Sequence, residues 1–286
     1  MRKLISIACL AVLGGCAIIV SPNDGDVHVR TAFSSDPAVE GNGISARDER
    51  VIGSFQHLRV NGAMVVDVRV GPAPSLVVEA DSNLLPLIHT DSSGDTLNIY
   101  ADRIRSRNPV HITYTVPRLT ELHSNGSGRV TVLGLNGAPL SVQLNGSGAV
   151  ELAGDVDQFD ARLNGSGRLD ASRLRSAGAE LKVNGSGSLI AGELRGDHAT
   201  IGIHGSGQVQ ARGMVRVLNV RTTGSGNAEL EGLTSDRADL STSGSGGIYA
   251  NVRQTLLAQT TGSGPIRVRG NPAERNISGK SVRLVD

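Results

Sequence analysis

The feature that most constrains this chain is a tripeptide, Gly-Ser-Gly, that begins at Gly126, Gly146, Gly165, Gly185, Gly205, Gly224, Gly244 and Gly262. The intervals are 20, 19, 20, 20, 19, 20 and 18 residues, a regularity that belongs to a repeat architecture and not to flexible linkers. Each triplet is framed in the same register. Two residues after it stand Val130, Val150, Leu169, Leu189, Val209, Ala228, Ile248 and Ile266, and two further on Val132, Leu152, Ala171, Ala191, Ala211, Leu230, Ala250 and Val268. Before the turns stand Leu122, Val142, Ala161, Leu181, Ile201, Val220, Leu240 and Ala258, alternating with polar residues such as Gln143, Arg162 and Lys182. Period-two alternation on both sides of a short turn describes half-buried strands that meet at a corner. A further apolar position, Leu135, Val156, Leu174, Leu194, Met214, Leu233 and Val252, supplies a third short side.

Asn-Gly between alternating runs is also a strong hairpin signal, so an antiparallel meander is the rival arrangement. The direction of the repeat decides against it. Successive twenty-residue units resemble each other in the same sense, so like residues stack when the chain advances one coil per repeat. The expected fold is all-β: a right-handed parallel β-helix, a single-stranded β-solenoid of about 20 residues per coil. Asn125, Asn145, Asn164 and Asn184 open the first turns and can hydrogen-bond to one another along the stack. The serine hydroxyls are expected to satisfy turn amides. In the last coils Thr223, Ser243 and Thr261, preceded by Thr222, Thr242 and Thr260, suggest a hydroxyl ladder instead.

Upstream, Leu58-Arg59-Val60-Asn61-Gly62-Ala63 reads as one looser coil, followed by strands near 75–80, 96–100 and 110–116. Residues 16–48 lack this alternation and read as a flexible tether, leaving 49–286 as the solenoid. After the turn Gly270-Asn271-Pro272, the charged tail is expected to cap the last coil.

The N-terminus carries Arg2 and Lys3, an apolar run from Leu4 to Leu13, and Gly14-Gly15 directly before Cys16. The apolar run is about half the roughly 20 residues a membrane-spanning helix needs, so residues 1–15 read as a signal peptide. Leu13-Gly14-Gly15-Cys16 resembles a bacterial lipobox, which implies that Cys16 carries lipid and becomes the first residue after cleavage. Ile18 is not the aspartate that often retains lipoproteins at the inner membrane, so by resemblance the expected location is the outer membrane. Cys9 departs with the signal, which leaves no partner for a disulfide. Loss of Arg2 and Lys3 leaves 26 bases against 27 acids. That balance gives no general attraction to nucleic acid. Without tryptophan and with 2% aromatics, the chain must rest on many small apolar contacts.

From about Arg50 to Asp286 the chain resembles the bacterial head-GIN-domain family of auto-transporter adhesins. The likeness rests on Gly53-Ser54-Phe55, on Leu58-Arg59-Val60-Asn61-Gly62, and on Val77-Val78-Glu79-Ala80-Asp81-Ser82-Asn83-Leu84-Leu85. The serial Asn-Gly-Ser-Gly turns and the closing Gly270-Asn271-Pro272 complete it. What the resemblance implies is a right-handed β-helix in the cell envelope.

Polysaccharide-cleaving β-helices need carboxylates converging on one outer face. The outward column after the turn reads Thr131, Glu151, Asp170, Ile190, Gln210, Glu229, Tyr249 and Arg267, in which Glu151 and Asp170 are the one adjacent acid pair. The seven histidines show no metal-ligand spacing and the turns lack a calcium-repeat aspartate, so no metal or other cofactor is expected. The column before the turn reads His123, Gln143, Arg162, Lys182, Gly202, Arg221, Ser241 and Gln259. Arg162, Lys182 and Arg221 form a basic stripe that could follow an anionic envelope glycan. The expected function is a non-enzymatic, lipid-anchored binding scaffold or adhesin, whose partner is such a glycan or another envelope protein. The alternatives are an enzyme on cell-surface polysaccharide and a purely structural or sensory lipoprotein. Oligomeric state is not legible. Cys16→Ser should release the protein from membranes or leave its signal peptide uncleaved, as membrane fractionation and mass measurement would show; a processed, membrane-bound variant would refute the lipid anchor.

Overall fold

The computed structural model describes residues 37–285, together with a short antiparallel pair, Ile18–Ile19 with Arg30–Thr31, in an N-terminal unit that ends at Val39. Cys16 and the signal peptide lie outside the described residues. The main unit, from Glu40 onward, is a β-solenoid. Strands such as Arg168–Gly185, Ser188–Gly205 and Gln208–Gly224 run nearly the whole way round each coil and pair in parallel with their counterparts one repeat away. The antiparallel meander is thereby excluded for the repeat region.

The corner explains the glycines. The first glycine of every triplet, and Gly62 before them, has φ between 110° and 123°, a region open to glycine because a Cβ would collide with its own backbone. Stacking adds a second restriction. A Cβ on Gly146 would lie 2.4 Å from the Gly126 carbonyl oxygen, and one on Gly148 would lie 2.6 Å from that of Gly128. The turn amides are not left to the serine hydroxyls: Ser147 and Gly148 both donate to the Gly126 carbonyl, at 3.1 and 3.0 Å, and the pattern recurs at Ser166, Gly167, Ser263 and Gly264. Backbone satisfies backbone from coil to coil.

Beside this corner runs the asparagine ladder. Asn125 Nδ2 donates to Asn61 Oδ1 at 2.7 Å, Asn145 to Asn125 at 2.7 Å, Asn164 to Asn145 at 2.7 Å and Asn184 to Asn164 at 2.8 Å. It begins one coil before the first triplet and stops where His204 takes the next place. The expected hydroxyl ladder does not continue it. Thr222 and Thr242 point inward; Thr242 donates to its own turn at Gly246, 2.8 Å away, while the Thr222 hydroxyl is buried without a partner.

Inside, the ladders are apolar and dry. Val130, Val150, Leu169, Leu189, Val209, Ala228, Ile248 and Ile266 are all 0% exposed. The third side departs from the single column expected. Leu135 stacks on Gly154 and Gly154 on Leu174, and in later coils Leu194 stacks on Gly213 and Gly213 on Leu233. Large side chains thus alternate with glycine where the chain bulges and the register shifts. Gly213, at φ 122°, turns the next residues over, so Met214 is 53% exposed and Val215 fills the interior in its place.

Both ends depart from the repeat. His57–Asn61 and Val65–Val70 form a coil, but Thr96–Ala101 and His111–Val116 stack on its outer side while Glu121–Gly126 and Arg129–Asn136 stack on its inner side. Order in space therefore differs from order in sequence. Antiparallel strands close this end: Ser75–Asp81 against His111–Val116 and Ser45–Arg50, and Ile88–Ser93 against Thr96–Ala101. Residues 40–48, read from sequence as the end of a tether, belong to this cap. Asn42 bonds Ser82 and Asn83, and Gly41 packs on Asp81, where a side chain would meet the carboxylate. Asp81 is itself 0% exposed and accepts the Arg107 amide at 2.8 Å and the Asn108 side-chain amide at 2.5 Å. Burial alone would raise its pKa; these hydrogen bonds, with that of Ser106, outweigh burial and hold it low. At the other end the charged tail covers the last coil by continuing the stack. Glu274–Ser278 and Val282–Val285 add a further parallel tier on Thr255–Gln259 and Ile266–Arg269.

Leu181 is 0% exposed whereas the Lys182 side chain is 42% exposed. Leu181→Asp should therefore cost several kcal/mol through a buried, unpaired carboxylate, and Lys182→Asp about 1 kcal/mol. Thermal unfolding of the two variants checks this, and equal losses would contradict the register.

Candidate functional site

The solenoid turns sequence columns into surface columns. His123, Gln143, Arg162, Lys182, Gly202, Arg221, Ser241 and Gln259 are successive register partners, so the column expected before the turn is a real row of neighbours. Strands in such a sheet lie about 4.8 Å apart, which puts Arg162 and Lys182 side by side. Their charge is not free. Arg162 Nη2 lies 3.3 Å from Asp160, and the Lys182 ammonium is paired with Glu180. His123 meets Glu121 in the same way at 2.5 Å. Arg221 alone of the three stripe bases has no ion-pair partner among the described residues.

These acids form the adjoining outward column, two residues earlier on each strand: Glu121, Ser141, Asp160, Glu180. Residues i and i+2 share a face of a strand, so the motifs Glu121-x-His123, Asp160-x-Arg162 and Glu180-x-Lys182 carry the signal that reveals them. The hydrogen bond from Lys182 holds the Glu180 carboxyl below its ordinary range against the opposing effect of burial, with the charges of Lys182 and Arg162 adding to it.

Glu151 and Asp170 do stand next to each other. Neither is arranged for acid catalysis. Asp170 Oδ1 accepts the Ser172 amide at 2.9 Å, and Ser172, followed by Arg173 and Arg168, keeps its carboxyl low. Glu151 faces Arg173 at 3.9 Å. A general acid needs a raised pKa, normally from an apolar pocket or a like charge. Among the described residues no group of three or more His, Cys, Asp or Glu is placed to hold a metal.

The bulge at Gly213 creates a feature that sequence reading missed. Arg195 and Met214 are register partners, and with Glu193, Val215, Arg216 and Asp236 they line an open recess of about 700 Å³. Its rim is salt-bridged, with Arg195 to Glu193 at 2.6 Å and Arg216 to Asp197 at 3.1 Å. Met214 looked like a core position because its repeat neighbours are apolar; the positive φ of Gly213, where the register shifts against both neighbouring coils, reverses it.

A rod of stacked coils whose lateral walls are rows of polar and charged side chains defines the class: a β-solenoid protein. More particularly, the chain belongs to the family described as "putative auto-transporter adhesin, head GIN domain", which matches residues 54–192 and again 172–272. Solved structures share the fold. A "putative lipid binding protein" from Parabacteroides distasonis is 24% identical, with a TM-score of 0.67 over 87% of this chain and 100% of its own. Two proteins described as putative adhesins, from Parabacteroides merdae (21%, TM-score 0.68) and Parabacteroides distasonis (18%, TM-score 0.68), also cover 87% of this chain, with 99% and 100% of theirs. No curated protein matches the chain in sequence.

The depressed pKa of Glu180 fixes a sign. Its pairing with Lys182 is present above the unfolded value and lost as pH falls through the folded one, below the ordinary 4.5. Glu180→Gln should free the same lysine at neutral pH and strengthen any salt-sensitive binding of an anionic glycan to the Arg162–Lys182–Arg221 row, measured by titration at low and moderate salt. Unchanged binding would mean that this row is only solvated surface.

Proposed function

We propose that this chain is a non-enzymatic protein of the cell envelope, held at the outer membrane through lipid on Cys16, and that its solenoid binds envelope or cell-surface polymers. The family's description as adhesins supports a cell-surface or envelope role. The observation that carries the binding reading is that the strand leading into each corner, from the one ending at Gly126 to the one ending at Gly262, pairs without a shift with the next, which lines up outward side chains of successive coils into long, straight rows. Extended solenoid walls of this kind suit long partners, which they contact across many coils, better than they suit a small enclosed substrate. The Arg162, Lys182 and Arg221 row is one such wall, with its first two charges offset by acids.

A polysaccharide-cleaving activity would run through Glu151 and Asp170; Asp170 accepts the Ser172 amide and Glu151 faces Arg173 at 3.9 Å, an arrangement that favours ionised carboxylates and supplies no apolar pocket for the proton donor such cleavage needs. Crosslinking in the native envelope, followed by identification of what is captured, tests the proposal. The expected outcome is a defined envelope polymer or protein attached to the solenoid walls. Turnover of a polysaccharide by the purified protein, abolished in the Glu151→Gln/Asp170→Asn variant, would overturn it.

A further inference from the structure

The C-terminal end of the rod carries a second row of bases that, unlike the first, is not neutralised by acids among the described residues. Between Tyr249 and Asp286 the sequence holds six bases and two acids, so this end is positive although the chain as a whole is nearly neutral. Arg253 and Arg269 are accounted for by Asp236 at 3.7 Å and Glu231 at 4.0 Å, and Arg275 bonds the Pro272 carbonyl at 2.6 Å. Arg267, Lys280 and Arg283 make no ion pair with any described residue.

Two of them stand directly together. Tyr249, Arg267 and Arg283 are consecutive register partners on the outward column after the turn. Both arginines are exposed, and like charges on paired positions of neighbouring strands repel. The Arg162 and Lys182 pair solves the same problem with an acid two residues earlier; here the equivalent places are Pro265 and Ser281, which offer none. The nearest acid on the column, Glu229, lies beyond Tyr249 and already accepts a hydrogen bond from Gln210 at 2.8 Å. The Arg267 guanidinium is held over the Tyr249 ring, 5.7 Å from its centroid, which orders it without neutralising it. The ring in turn lies against Gly247, where a Cβ would meet it at 2.9 Å. Earlier coils have Arg129, Arg168 or Gln208 at that place. The glycine makes room for the tyrosine.

We infer that Tyr249, Arg267 and Arg283 form a binding site for the oxyanions of an acidic glycan. Adjacent guanidinium groups recognise carboxylate or phosphate by paired N–H donors, and the tyrosine hydroxyl adds a hydrogen bond at the side. Lys280, in the last corner between Ser278 and Val282, extends the positive surface past the pair, which suits a polymer with repeated charges better than one small anion. The inference rests on the polymer-binding reading above and gives it a ligand class and a place on the rod.

The test uses purified full-length protein in detergent. The probes are hexameric oligogalacturonate, its fully methyl-esterified form and inorganic phosphate. Oligogalacturonate should bind at low ionic strength, weaken as salt rises, and bind at least about tenfold more weakly to Arg267→Gln/Arg283→Gln. Arg59→Gln/Arg69→Gln, which removes two exposed bases near the N-terminal end of the solenoid, should bind like the wild type. Without ligand the Arg267→Gln/Arg283→Gln variant should melt no lower than the wild type, since it removes a repulsion, but it should lose the ligand-induced rise in Tm. Equal binding by that variant, equal binding of the methyl ester, absence of oligogalacturonate binding, or phosphate competing at concentrations equal to those of the oligosaccharide's own charges would each overturn the assignment. Because envelope crosslinking is read on the wild type in cells, captured polymer alongside any of these results would remove this site and leave the broader proposal standing.

Discussion

One contact governs the molecule: the carbonyl of the first corner glycine accepting two amides from the corner of the next coil. For Gly126 to receive both Ser147 and Gly148, the two corners must come so close that a Cβ on either glycine would meet a carbonyl oxygen within 2.4 to 2.6 Å. The contact recurs at Gly146, Gly165, Gly205, Gly224 and Gly244, with a single amide at Gly185, which is why the triplet recurs. Once the corners are superposed, the strand segments that flank them are placed as well. A parallel ladder admits no slip of one residue without moving each inward side chain to the solvent face.

The same superposition makes the core and the side-chain ladder possible. Small and medium apolar residues replace aromatic anchors because each rests on its counterpart above and below, and the asparagine amides link in a single direction from Asn184 down to Asn61. Hydrogen bonds of this kind contribute about 1 kcal/mol each, so their larger effect is to hold the register. The ends are where such stacking fails, since a terminal coil exposes unpaired backbone. At the N-terminal end antiparallel strands and the buried Asp81 network close the stack. At the C-terminal end the last tier is a short, charged edge, in which Glu274, Arg275, Lys280 and Arg283 stand where a flat apolar strand would invite pairing with another chain.

Stacking also sets the electrostatics of the surface. Any charge repeated at one place in the repeat meets its own sign about 4.8 Å away. Two responses coexist on this rod. Along Arg162 and Lys182 acids from the adjoining column compensate, whereas at Arg267 and Arg283 none among the described residues is placed to do so, and the tyrosine beside them orders the charge and does not cancel it.

The sequence by itself determined the repeat length, the parallel sense of stacking, the inward columns beside each corner, the asparagine ladder and the membership of the outward rows beside each corner, because all of these follow from a period and an alternation that recur in every coil. Family resemblance was legible for the same reason. What only the tertiary structure decided lies where the period breaks or where two columns meet. Met214 could not be told from its apolar counterparts until the bulge at Gly213 reversed it. The coil of residues 57–70 turned out to lie between two later segments, a pairing of distant strands that no local pattern encodes. The basic stripe looked uncompensated in a single column, and its neutralisation depended on side chains reaching across to Asp160 and Glu180. Local spacing specifies what stacks on what; the balance of charge and the closure of the ends are set by contacts between elements.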